Sequence, residues 1–180
     1  MEASTDPAIL IDFLQAMVSQ TTWVYAELWA PSNGRLMTDA VWWRPGKSGE
    51  GFAALEMLSR SMALKRGAGL AGKAWEKGEL EWSEDLTVKG SALEGSPRQA
   101  AVEAAGVMAS LTVPVKTDEG RVVAVAVLLS QRVEPVAQAK IAAVEALSAS
   151  AAPFLEHLVA QRESQSARGA GGAEPKEDWG

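Results

Sequence analysis

The spacing of apolar residues predicts a helix at each end of the chain. After Pro7, a residue favoured at the first position of a helix, apolar side chains recur at intervals of three and four: Ile9, Leu10, Phe13, Leu14, Met17 and Val18. The same spacing returns later at Ile141, Val144, Leu147, Ala151, Phe154, Leu155 and Leu158. Pro153 lies inside this second pattern and predicts a kink or an interruption, because its ring clashes with the preceding helical turn.

The middle of the chain carries the shorter periods that are typical of strands. Strands are predicted over residues 22–30, 36–44, 111–115 and 122–129, with a short one around Leu80 and Trp82. Alternation in the first strand assigns Trp23, Tyr25 and Trp29 to one face. Residues 122–129 form an almost unbroken apolar run, which suits a strand that is buried on both faces.

Three short helices are predicted between the strands. Phe52, Leu55, Leu58 and Met62 mark the first, and residues 73–77, closed by Gly78, form the second. The third has Ser96 as its cap, Pro97 at its first position, Gln99 to complete a capping box and Gly106 as a left-handed stop.

Length and composition indicate one domain with a tail. The chain has 180 residues, 47% of them hydrophobic, which is enough for one sizeable core. We expect a domain over residues 1–163 and, because residues 164–180 are rich in Ser, Ala, Gly and charge without periodicity, a disordered tail or linker there. A net charge of −6 opposes binding to nucleic acid, and no apolar stretch reaches the roughly 18 residues that a membrane span needs. A cytoplasmic protein without membrane contact is therefore expected.

The order of elements, together with several short motifs, resembles the GAF family, a family of small-molecule sensing modules. The residues that carry the resemblance are Gly69, Leu70, Gly72, Trp75, Gly78, Trp82, Asp85, Gly106, Val113, Pro114 and Val115. The resemblance implies an α+β fold: an α/β/α sandwich whose central antiparallel sheet has about five to six strands. It further implies a helical bundle, made by the terminal helices, on one face and a pocket capped by loops and helices on the other.

The implied pocket gives a set of candidate ligand-binding residues: Trp42, Trp75, Trp82, Arg98 and Met108. Tryptophan supplies a large apolar wall with one donor, and arginine can hold a carboxylate or a phosphate with two parallel hydrogen bonds. The alternative is that Trp75 and Trp82 are packing anchors and that Arg98 is solvated.

The sequence lacks the residue patterns on which catalysis and metal binding usually depend. The chain has no cysteine, which removes thiolate nucleophiles, thiolate metal ligands and thioether-linked chromophores together. It also removes the cysteine-based methionine sulfoxide reduction of the GAF reductases. The single histidine, His157, is expected on the last helix away from the pocket, and the acidic residues 79–85 alternate along a short strand and turn. We expect no enzyme activity, no metal site and no covalently attached cofactor.

The sequence leaves two functions open. The first is a non-catalytic sensory or regulatory module that binds a small molecule of unknown identity and signals through its terminal helices. The second is a ligand-free GAF-like scaffold for dimerisation or protein interaction, its pocket filled by its own tryptophans. The spacing of Ile141, Val144, Ser148, Ala151, Leu155 and Leu158 favours a homodimer through the terminal helices. An output domain or a partner protein is a further expectation.

Overall fold

The computed structural model describes residues 7–46 and 49–170, and it places a six-stranded antiparallel sheet between two layers of helices. The helices are α1 Pro7–Thr21, α2 Gly49–Arg60, α3 Gly69–Lys77, α4 Gln99–Ala104 and α5 Gln138–Ala170. The strands are β1 Tyr25–Ser32, β2 Arg35–Trp43, β3 Ala63–Leu64, β4 Glu81–Ser83, β5 Ala109–Lys116 and β6 Val122–Ser130. Their order across the sheet is β3-β2-β1-β6-β5-β4.

The centre of the sheet is made by β1 and β6. β1 pairs with β2 on one side and with β6 on the other, and β6 also pairs with β5. Every residue of β6 after Val122 is buried, which confirms the predicted strand with two covered faces. The α+β fold that the sequence predicts, with its sheet and helices, is thus present.

The terminal helices α1 and α5 cover one face of the sheet and contact each other. We call the apolar layer beneath them the helix-side core. Its buried residues include Leu10, Leu14, Met17, Val18, Trp23, Leu28, Leu111, Val113, Leu128, Val144, Leu155 and Leu158.

The short helices α2, α3 and α4 cover the opposite face of the sheet. We call the layer between them and the strands the loop-side core. Its buried residues include Tyr25, Trp29, Leu36, Phe52, Leu55, Leu70, Trp75, Val102, Val125, Val127 and Leu129.

Trp23 does not share a face with Tyr25 and Trp29, so this part of the predicted alternation is wrong. Trp23 packs in the helix-side core, whereas Tyr25 and Trp29 pack in the loop-side core. The reason is that β1 begins only at Tyr25, after a bend at Val24, and period-two alternation holds only within the strand.

Pro153 does not interrupt the last helix. α5 runs without a break from Gln138 to Ala170, with Pro153 exposed inside it. The helix also continues past the predicted domain boundary at residue 163. Residues 164–170 are helical, although a disordered tail was expected there. The remainder of that predicted tail, residues 171–180, lies outside the described residues.

The apolar stripe of α5 faces its own sheet. Val144, Ser148, Leu155 and Leu158 are buried, and three of them belong to the helix-side core. Most of the stripe from which a dimer seam was predicted therefore packs within the chain, and only its half-buried members Ile141 and Ala151 lie partly at the surface.

The predicted capping box before α4 does not form as expected. Arg98 has φ −106° and ψ 9°, so the helix begins at Gln99 rather than at Pro97. The Ser96 hydroxyl accepts from the Arg98 backbone N–H at 3.3 Å, and the Gln99 side chain accepts from the Gly95 N–H. The left-handed stop is confirmed, since Gly106 has φ +73°.

Candidate functional site

A buried ion pair lies at the centre of the loop-side core. Tyr25, Glu27 and Trp29 alternate along β1 and point toward the same layer, where the Arg98 guanidinium approaches the Glu27 carboxylate to 2.5 Å. The Glu27 side chain has no solvent exposure and that of Arg98 has 4%. Two opposite charges removed from water must be paired and hydrogen-bonded to be tolerated, so the surroundings of this pair decide its stability.

Neighbouring side chains satisfy the carboxylate and the guanidinium. Glu27 Oε1 accepts from Trp29 Nε1 at 2.8 Å, and Glu27 Oε2 accepts from the Tyr25 hydroxyl at 3.0 Å. Arg98 donates from Nη1 to the Ser59 hydroxyl at 2.7 Å, and its guanidinium carbon lies 5.2 Å from the centre of the Trp29 ring. We call these five residues the Glu27–Arg98 network.

The protonation of the Tyr25 hydroxyl is fixed by its surroundings. Burial, and next the neighbouring Glu27 carboxylate, raises the pKa of the Tyr25 hydroxyl far above its usual range. Tyr25 therefore stays protonated and serves as a donor to Glu27, which is the role that its position requires.

The predicted site residues lie on both sides of the sheet and do not converge. Trp75 and Arg98 belong to the loop-side layer, but Trp42 and Trp82 pack against the helix-side core. Trp82 donates from Nε1 to the Glu134 carbonyl and meets Trp23 edge to face at 5.3 Å. Met108, partly buried, lies directly before β5, where its backbone N–H donates to the Ser130 carbonyl and its carbonyl accepts from the Leu86 N–H.

Arg98 is buried and paired, so the expectation of a solvated arginine is wrong. Its contacts Glu27, Ser59 and Trp29, and the Tyr25 hydroxyl that donates to Glu27, were not predicted to form a polar site. One signal was available: Glu27 is a charged residue at a core-facing position of a strand whose neighbours are apolar. An ionised group in such a position needs a buried partner of opposite charge.

The Glu27–Arg98 network lines none of four surface cavities that the described residues form. Among the five predicted site residues, Trp75 alone lines one of them, a cavity of about 260 Å³ between the end of α3 and the β5–β6 turn. There the Arg66 guanidinium lies 4.1 Å from the centre of the Trp75 ring. Lys77, Arg121 and Glu76 also line this cavity.

Metal ligation finds no support among residues 7–46 and 49–170. No group of three His, Asp or Glu side chains in these ranges could hold a metal ion. His157 is exposed on α5, with its Nε2 at 3.1 Å from the Gln161 amide nitrogen. Within the same ranges, no helix has the length and apolar character that crossing a membrane requires.

Solved structures with the same architecture are GAF domains and related proteins. The GAF domain/HD domain protein from Geobacter sulfurreducens superposes with a TM-score of 0.66 at 15% identity, over 85% of this chain and 94% of that one. The GAF domain of a two-component sensor histidine kinase from Bacillus halodurans gives 0.63 at 14% identity, over 83% and 95%. The type II free methionine-R-sulfoxide reductase from Thermoplasma acidophilum gives 0.61 at 13% identity, over 84% and 92%.

These likenesses establish a GAF-like fold for the chain. Their identities are low, so the shared architecture concerns the fold alone. No protein-family model matches the sequence, and no curated protein matches it. Any function must therefore be argued from the chain's own residues.

Proposed function

We propose that this protein is a non-catalytic regulatory module with a GAF-like fold that pairs with a second copy of itself through helices α1 and α5. A regulatory role agrees with one structural neighbour, which is the GAF domain of a two-component sensor histidine kinase. The observation that carries the proposal is an exposed apolar groove between the two terminal helices.

The groove has a volume of about 170 Å³ and only apolar lining. Its residues are Ile9, Leu10, Phe13, Ala151, Phe154 and Leu155. Ile9 is 46% exposed and Phe154 is 38% exposed, although both are large apolar side chains. A groove of this kind on a surface helix pair favours contact with another apolar surface.

A second copy supplies a surface that fits this groove. In a two-fold symmetric pair the same patch lies on both sides of the interface, so one patch must offer both a projecting side chain and a recess. Here Phe154 projects beside the recess that α1 and α5 form together. Phe154 of each copy would then enter the groove of the other, near Ile9 and Phe13.

The composition of the loop-side core supports an interaction role over a buried ligand site. The Glu27–Arg98 network and the surrounding aromatic side chains fill the layer in which the sequence analysis expected a ligand. The donors that would hold an anionic ligand, Arg98 and Tyr25, already bind Glu27.

Native mass spectrometry of the intact chain tests the pairing. We expect the 19.0 kDa chain to form a dimer, and Phe154→Glu to convert it into a monomer because the carboxylate would be buried at the interface. Met57→Glu is the matched control, since Met57 is 75% exposed on α2, away from the terminal helices, and its change should leave the dimer intact. A wild-type monomer, or a dimer unaffected by Phe154→Glu, would overturn the proposal.

A second candidate function is small-molecule sensing at the Trp75 cavity. It is favoured by one observation: the Trp75 indole and three cationic side chains, against the single Glu76 carboxylate, line a recess of about 260 Å³. A small anionic molecule suits this lining. The same mass spectra test it, since a ligand carried from cells would add a mass that is lost on denaturation and is absent from Arg66→Ala. If no added mass is found and an anion screen leaves the tryptophan fluorescence of the chain unchanged, the sensing function is rejected.

The absence of catalysis is part of the proposal and rests on the chemistry of the residues. The sequence contains no cysteine to act as a nucleophile. Its one histidine lies on the exposed side of α5, outside the Glu27–Arg98 network and outside the Trp75 cavity.

A further inference from the structure

At the bulge in β2, two neighbouring side chains contact opposite layers of the fold. The pairing of β1 with β2 shifts between Leu28 and Trp29, because Leu28 faces Ala40 whereas Trp29 faces Thr38. Asp39 is the extra residue of this bulge. Thr38 contacts α2 on the loop side, and Asp39 contacts α5 on the helix side.

On the loop side, Thr38 is connected to the Glu27–Arg98 network through one residue of α2. The Thr38 hydroxyl donates to the Ser59 carbonyl at 3.1 Å, and the Ser59 hydroxyl accepts from Arg98 at 2.7 Å. Ser59 lies in the last turn of α2, where carbonyl groups have no partner within the helix, and its carbonyl accepts from the Met62 backbone N–H at 3.2 Å as well as from Thr38. A side-chain donor from the sheet is therefore a specific means of fixing this helix end.

On the helix side, Asp39 holds the outer part of α5. Arg162 Nη1 lies 2.7 Å from both carboxylate oxygens of Asp39, whose side chain is 8% exposed. Leu158 and Val159 are buried just before this contact, and residues 163–169 are exposed after it. The contact thus lies where α5 leaves the body of the domain.

We propose that a series of contacts couples the loop-side core to the outer end of α5. The series runs through Glu27, Arg98, Ser59, Thr38, Asp39 and Arg162, and the backbone of β2 joins Thr38 to Asp39. Loss of the contact between Arg98 and Ser59 releases the end of α2 and loosens the bulge. The loosened bulge weakens the hold of Asp39 on Arg162. This inference rests on the proposed function only in taking α5 as the element that transmits a regulatory signal.

Amide hydrogen exchange of the full chain tests the coupling residue by residue. In Ser59→Ala we expect the backbone amides of residues 160–168 to exchange roughly fivefold faster, the effect of one ordinary hydrogen bond, while residues 141–149 keep their rates. Thr38→Val interrupts the same connection at another point and should give the same pattern. It also provides the test if Ser59→Ala destabilises the whole fold.

Two further variants separate coupling from general loosening. Ser91→Ala removes the hydrogen bond of another serine hydroxyl, which donates to the Leu86 carbonyl, and should leave the exchange rates of residues 160–168 unchanged. Arg162→Met breaks the last contact directly, so adding Ser59→Ala to it should produce no further acceleration. Faster exchange that is confined to α2 and α4 would overturn the coupling. So would a double variant in which Ser59→Ala and Arg162→Met each accelerate exchange of residues 160–168 as much as they do alone.

The subunit mass of each variant, measured on the same samples, separates this inference from the proposed function. If the protein is a dimer and Ser59→Ala leaves amide exchange in α5 unchanged, the coupling is rejected and the pairing is retained. A monomer in which exchange at α5 responds to Ser59→Ala rejects the pairing and retains the coupling.

Discussion

The Arg98 guanidinium and the Glu27 carboxylate form an ion pair at 2.5 Å in a layer that is otherwise aromatic and aliphatic. The pair joins the central strand β1 to the segment that precedes α4. Its attraction offsets the cost of removing both charges from water only while both partners are present. The two residues therefore act as one unit, and the loss of either one differs from the loss of both.

Arg98→Met should destabilise the fold by about 3–5 kcal/mol, because it leaves the Glu27 carboxylate buried without an opposite charge. The double variant Glu27→Gln/Arg98→Met should recover a large part of that loss, since the glutamine amide carries no charge. Urea denaturation of both proteins measures the difference. A double variant less stable than Arg98→Met would show that the charge of Glu27 is not what makes the single change costly.

Trp29→Phe should cost at least about 1 kcal/mol more than Trp23→Phe, although both indoles are fully buried. Trp29 Nε1 donates to the Glu27 carboxylate at 2.8 Å, so its loss leaves a charged group with one donor fewer. Trp23 Nε1 is buried with no hydrogen-bond partner among the described residues, so replacing the indole removes an unsatisfied donor. Each change removes the same atoms, and thermal unfolding of the two variants compares them directly. Equal losses would contradict the role assigned to the Trp29 donor.

The sequence was sufficient for the elements whose period is strong and local. The valine-rich run of β6, the stripe of α1 and the left-handed Gly106 each follow from neighbouring residues, and the structure confirms them. The resemblance of short motifs then predicted the fold in which these elements assemble, and the solved structures support that fold.

The candidate site could not be predicted in the same way, because its contacts join residues that are distant in sequence. Nothing near Arg98 indicates Glu27 or Ser59 as its partners. The burial of Arg98 is decided by the sheet, which places Glu27 on the inner face of β1. The assignment of Trp42 and Trp82 to the pocket failed for a related reason. The face that a residue occupies depends on where its strand begins and where a bulge occurs, and neither is visible in composition or periodicity.

Gly72→Ala should be clearly destabilising, by about 1–3 kcal/mol, because there is no room for the added methyl group. A Cβ atom at Gly72 would lie 2.5 Å from the Lys65 carbonyl oxygen, and backbone atoms cannot yield as a flexible side chain can. This close approach explains why glycine stands at position 72 in the motif formed by Gly69, Leu70, Gly72 and Trp75. Urea denaturation measures the loss.

The control for Gly72→Ala is Gly169→Ala, at an exposed position of α5 where no atom lies within 4 Å of the added carbon. It should leave stability unchanged or raise it by up to about 1 kcal/mol, the helix propensity difference between alanine and glycine. Similar losses in both variants would mean that crowding at Lys65 is not the cause.

Asp39→Asn should gain stability relative to the wild type as the pH rises from acid to neutral. Burial raises the pKa of Asp39 above its ordinary value, and the hydrogen bond and the charge of Arg162, with the charge of Arg60, oppose this only in part. A carboxyl whose pKa is higher in the folded state favours folding while it is protonated. That contribution is complete below the unfolded-state pKa and is lost as the pH rises through the folded-state pKa. Asparagine does not titrate, so the free energy of unfolding of the variant, measured in urea at a series of pH values, should rise relative to the wild type across that window.

Asp85→Asn is the matched control, since it should respond in the opposite direction. Hydrogen bonds from the Thr87 side chain and backbone lower the pKa of Asp85, so its ionised form favours folding above the unfolded-state pKa and that contribution is lost as the pH falls. The Asp85→Asn variant should therefore lose stability relative to the wild type as the pH rises, by a small amount because Asp85 is partly exposed and its interactions are screened by solvent. If Asp39→Asn also loses stability with rising pH, the bond to Arg162 outweighs the burial of Asp39. Asp39 would then hold α5 more strongly as a carboxylate than its position in the bulge indicates.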